Sequence, residues 1–195
     1  MRVVLALLVI AVVAWADAYD DGLAAGKRGD YREALRQFTQ AIGQNPHNAK
    51  AYNDRGISHQ KLDDHSRAIA DFTQASKIDP NYAAAYNNRG NSYNKLSDYS
   101  KAIADFTQAI NISPKYALAY YNRGNSYAQL GNHSQAIADF TQAIRIYPKL
   151  AWAYDNRGIS YYTLGDYARA TQDAHKACEL GDCSLLQFVD KNKPR

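Results

Sequence analysis

Pro46, Pro80, Pro114 and Pro148 stand 34 residues apart, and so do Phe38, Phe72, Phe106 and Phe140, with no insertion between them. A spacing this strict restricts the chain to a stack of like units. On the same period Ala34, Ala68, Ala102, Ala136 and Ala170 form one column, and Ala41, Ala75, Ala109, Ala143 and Ala177 a second. Gly22, Gly56, Gly90, Gly124 and Gly158 form a third. Sixteen Tyr beside five Pro and one Met in 195 residues is the compositional trace of one pattern copied five times.

Each unit reads as two amphipathic helices. Tyr86, Gly90, Tyr93 and Leu96 recur at three- and four-residue steps, which lines one face of a helix over 83–96. A second helix opens at Asp30, Asp64, Asp98, Asn132 or Asp166, side chains suited to accept from the free N–H groups of a helix start. Its apolar face is carried by Ala102, Ile103, Phe106, Ala109 and Ile110 and their equivalents, and Pro114 and its counterparts close it. Small residues at Gly90, Ala102 and Ala109 let two helix backbones approach, with Phe106 filling the space between. That face is core, and not a cofactor box.

The run Tyr86-x3-Gly90-x2-Tyr93 followed by Leu96, Ala102, Phe106, Ala109 and Pro114 resembles the tetratricopeptide repeat, and the chain resembles an exported bacterial protein of that type. The resemblance implies an all-α solenoid of five helix hairpins in a right-handed superhelix, followed by a capping helix. The boundaries it implies are a leader over 1–16, an atypical first repeat over 17–48, repeats over 49–82, 83–116, 117–150 and 151–184, and a capping helix and tail over 185–195. Departures fall at the ends, where one neighbour is missing: Ala25 replaces Tyr in the first repeat and Ala174 replaces Phe in the fifth.

In this family the inner groove is lined by the first helix of each pair and commonly holds an extended peptide. Carried over residue by residue, its slots are Asn53, Asn87, Asn88, Asn91, Tyr121, Asn122, Asn125, Trp152, Asn156 and Tyr162. An Asn offers both acceptor and donors to a peptide backbone, so the resemblance gives the ladder Asn88, Asn122 and Asn156 a backbone-gripping role. Tyr121, Trp152 and Tyr162 are expected anchors, since buried aromatic residues dominate binding energy; the competing reading packs them against the capping helix. Relatives that clamp a C-terminal carboxylate want Lys at the slot held here by Asn53, Asn87, Tyr121 and Asp155, so a chaperone-tail adaptor is not expected.

The column Arg55, Arg89, Arg123 and Arg157 could be taken for a nucleic-acid stripe. Sixteen residues after each comes Asp71, Asp105, Asp139 or Asp173, and the first repeat, with Asp21 in the Arg slot, has Gln37 in the Asp slot. Gain and loss together indicate an ion pair inside each hairpin. With 23 basic and 19 acidic residues scattered without runs, no nucleic-acid partner is expected.

Arg2 precedes an apolar run over 3–14 that ends in Ala14-Trp15-Ala16, the pattern of a secretory leader cut after Ala16. As a helix the fourteen residues Val3 to Ala16 would span about 21 Å, short of the roughly 30 Å hydrocarbon core, so no permanent membrane anchor is expected. A secreted or periplasmic location follows. Cys178 and Cys183 then form either a local disulfide or a pair of unpaired thiols. His47, His59, His65, His133 and His175 show no metal-ligand spacing, and no phosphate loop or nucleophile elbow is present. The expectation is a non-catalytic module, with no cofactor and no metal, that binds an extended segment of a protein partner. The alternative is an oligomerisation or assembly scaffold of a cell-envelope complex, with self-association as its hallmark.

Overall fold

The structure, a computed structural model, describes residues 18–191. The leader assigned to residues 1–16 therefore lies outside the described residues. Among those described there are eleven helices and no strand. The chain divides into two compact units, Met1–Leu96 and Ser97–Arg195.

The first unit holds α1 (residues 18–27), α2 (Tyr31–Gln44), α3 (Ala49–Lys61), α4 (His65–Ile78) and α5 (Ala83–Lys95). Here α2 packs on α3, α3 on α4 and α4 on α5, and the first helices α3 and α5 also touch. The second unit holds α6 (Tyr99–Ile112), α7 (Ala117–Gln129), α8 (His133–Ile146), α9 (Ala151–Thr163), α10 (Tyr167–Glu179) and α11 (Ser184–Lys191). Sequential neighbours pack again, α7 touches α9, and α11 lies on α9 and α10. Each unit is an α-solenoid of hairpins, with odd-numbered helices up to α9 as first helices and even-numbered ones as second helices.

Local chemistry sets the helix starts. Asp30, Asp64, Asp98 and Asp166 each accept a hydrogen bond from the backbone N–H three residues on. Asn132, expected to do the same, makes no such bond. The turn before each cap places one residue in the left-handed region, Gly29, Asp63, Ser97, Gly131 or Gly165, again at the 34-residue period.

The core is the alanine and phenylalanine columns. Phe38, Phe72, Phe106 and Phe140 are buried, as are the alanines flanking them. A Cβ at Gly56 would stand 2.7 Å from the Phe72 ring, and one at Gly124 would stand 2.8 Å from the Phe140 ring. Glycine is what lets the first helix lie against that ring. The fifth repeat solves the same problem differently. Ala174 leaves the ring's place empty, and Leu185 of α11 comes in from the end to lie over Gly158, beside Val189 and Ala174. Cys178 and Cys183 form a disulfide between the last turn of α10 and the residue preceding α11.

Candidate functional site

The first helices carry the residues with binding chemistry. In the first unit, Asn88 Nδ2 donates to Asn53 Oδ1 at 3.0 Å, and Asn53 Nδ2 donates to Asp54 Oδ1 at 3.0 Å. Asp54 Oδ2 accepts from the Tyr19 hydroxyl at 2.6 Å, and burial together with that bond pushes the Tyr19 phenol well above its ordinary range. Gln60 Nε2 reaches across from α3 to the Asn88 carbonyl and the Ser92 hydroxyl. Asn53 and Asn87 are only 3% and 4% exposed. Both were expected to meet a ligand; here the polar atoms of Asn53 are engaged by neighbours, and both side chains are buried. Asn88 and Asn91 remain partly exposed on the first unit's face.

In the second unit, Asn156 Nδ2 donates to the Tyr121 hydroxyl at 3.0 Å and to Asn125 Oδ1 at 2.8 Å, tying α9 to α7. The amide donors of Asn88 and Asn156 thus cross-link first helices, while among the described residues their Oδ1 atoms accept nothing. At Asn156 both N–H groups are used, which leaves Oδ1 as its open polar atom. Asn122 sits in the same slot, partly buried on α7.

The aromatic residues divide. Tyr121 packs on Phe140, with centroids 5.8 Å apart, and its ring faces Trp152 at 6.4 Å. Trp152 keeps 58% of its surface in water, and Leu118 and Ile159 are exposed on the same unit. Tyr162 instead stacks edge-on with Phe188 of α11 at 5.2 Å and with Tyr167 at 5.0 Å, so its main role is to seat the capping helix.

The arginine column is structural within each unit. Arg55, Arg123 and Arg157 make two-pronged contacts of 2.7–2.9 Å with Asp71, Asp139 and Asp173. Each guanidinium lies over the Tyr three residues earlier, Tyr52, Tyr120 or Tyr154, at 5.5–5.7 Å. Sequence reasoning missed a third partner. Arg55, Arg89, Arg123 and Arg157 each donate to a Thr of the preceding second helix, namely Thr39, Thr73, Thr107 and Thr141. The signal was available, since those threonines also recur every 34 residues.

No group of three or more metal-ligating side chains occurs among the described residues, and no helix among them is long and apolar enough to cross a membrane. His59, the residue beside Asp71, is held below the usual imidazole pKa by burial. Its Nε2 lies 3.9 Å from Asp71 Oδ2, and burial weakens any charge on that contact.

Tetratricopeptide-repeat family models match residues 19–83, 72–104, 90–131, 117–150 and 150–181, a continuous cover of the repeat region. The repeats are tetratricopeptide repeats. Among solved structures, MamA is 25% identical with a TM-score of 0.76, the match covering 87% of this chain and 96% of that one. MamA 41-end from Desulfovibrio magneticus RS-1 is 20% identical with a TM-score of 0.78, covering 93% and 97%. YrrB, described as a TPR protein with an unusual peptide-binding site, is 19% identical with a TM-score of 0.74, covering 89% and 90%. At those identities the last two speak for the fold alone. No curated protein matches the sequence. A tetratricopeptide array of this kind is a protein–protein interaction module.

Proposed function

We propose that the chain binds an extended peptide segment of a partner protein along its first-helix face, without catalysis and outside the cytoplasm. The observation that carries this reading is Trp152, a large aromatic residue left mostly in water beside Tyr121, with the unoccupied Oδ1 of Asn156 on the same helix. An exposed indole next to a fixed ring and a carbonyl acceptor suits a peptide that lays an apolar side chain on the rings and a backbone N–H on the amide. Asn88 and Asn91 offer the same polar chemistry on the face of the first unit. A location outside the cytoplasm draws support from the Cys178–Cys183 disulfide, which persists in oxidising compartments.

The test begins with a partner captured on the mature chain and titrated against variants. Trp152→Ala should weaken binding by about 2 kcal/mol or more, and Asn156→Ala by about 0.5–1.5 kcal/mol. Gln142→Ala, on the second helix α8, should change nothing. Parental binding by both first-helix variants together with a loss at Gln142 would move the site to the opposite face.

A further inference from the structure

Where α11 lies on α9, a cavity of about 330 Å³ opens, lined by Asp155, Ile159, Tyr162, Ser184, Leu185 and Phe188. Its walls are almost wholly apolar. One carboxylate stands in them: Asp155 is partly buried, and its Oδ1 accepts the Leu185 backbone N–H at 3.2 Å. Among the described residues Asp155 has no ion pair, and its Oδ2 has no hydrogen-bond partner. Burial and then the neighbouring Asp182 raise its pKa, and the Leu185 N–H offsets this only in part, so the surroundings disfavour its charged form.

We infer that this cavity takes a lysine or arginine side chain of the bound peptide, its aliphatic stem against Ile159, Tyr162 and Phe188 and its charged head on Asp155 Oδ2. The inference rests on the peptide-binding reading and names the residue class that the C-terminal end of the face selects. An apolar side chain entering the cavity would cover Oδ2 and leave a buried carboxylate without a counter-charge. A cation removes that cost, and only Lys and Arg combine a long apolar stem with a charged tip. An acidic side chain would add a third negative charge to Asp155 and Asp182.

The experiment uses the full chain with ¹³C-labelled methyl groups, following Ile159 and Leu185 by NMR. The probes are the N-acetyl methylamides of lysine, arginine, norleucine and glutamate. The lysine and arginine probes should shift both methyls saturably and bind about tenfold more tightly than norleucine, the scale of one charge-assisted hydrogen bond. Glutamate should shift neither. Asp155→Asn retains an oxygen for the Leu185 N–H and should abolish the preference for cations while leaving the weak norleucine shifts in place. Those shifts also report that the cavity is still formed. Equal binding of norleucine and lysine, a cation preference that survives Asp155→Asn, or silence of both methyls with the cationic probes would each overturn the inference. A partner that depends on Trp152 but is indifferent to Asp155→Asn would overturn it while sparing the peptide-binding face.

Discussion

At the scale of residues, the most repeated device is the arginine that joins three neighbours. Arg123 forks onto Asp139, donates to Thr107 and lies over Tyr120. Both charges are mostly out of water, with 18% and 7% of the side chains exposed, so deleting either strands the other. Arg123→Ala and Asp139→Ala should therefore each destabilise the chain, and the double variant should cost less than their sum by about 1–3 kcal/mol. Chemical denaturation of the four proteins of the cycle measures this. Additivity would show that the pair contributes nothing as a pair. The Asp partner was legible from sequence because loss of Arg in the first repeat coincides with loss of Asp. The inward role of Asn53 was not. Its hydrogen bond to Asn88 runs between residues 35 apart, and which of two adjacent polar slots turns into the wall depends on how closely first helices approach. That distance is a product of packing and leaves no mark in one helix's pattern.

At the scale of elements, α11 carries a task out of proportion to its eight residues. A helix this short is not stable alone in water; it is held by Leu185 and Val189 on Ala174, by the Leu185 N–H on Asp155, and by the disulfide at its start. Leu185→Ala should destabilise the C-terminal end by about 2–5 kcal/mol and raise amide hydrogen exchange in α11 and α9 first. Unchanged exchange there would mean that the disulfide alone seats the helix. The missing Phe at Ala174 was visible in the sequence, and an amphipathic end helix was expected. What could not be read was that a leucine of that helix would occupy the ring's place, since this depends on where the turn after α10 delivers it. The helix caps, by contrast, follow from contacts within three residues, and four of the five Asp or Asn starts of the second helices make the bond their residue type favours.

At the scale of the whole molecule, two features bear on the compartment. The proposed location outside the cytoplasm draws on the disulfide and on the apolar stretch ending at Ala14-Trp15-Ala16, whose pattern predicts removal on export. Mass spectrometry of protein recovered from outside the cytoplasm should find a chain beginning at Asp17; a chain still carrying Met1 would refute the assignment. The threonine–arginine joint has a different consequence. Because Thr39 to Arg55, Thr73 to Arg89, Thr107 to Arg123 and Thr141 to Arg157 are the same contact, this one joint does not distinguish which repeat precedes it. The ends withdraw the offer: Asp21 stands where an arginine would, and His175 where a threonine would. A chain that gained or lost one internal unit of 34 residues would still match threonine to arginine at every such joint. As far as this joint is concerned, the number of internal repeats is not fixed by the contact itself.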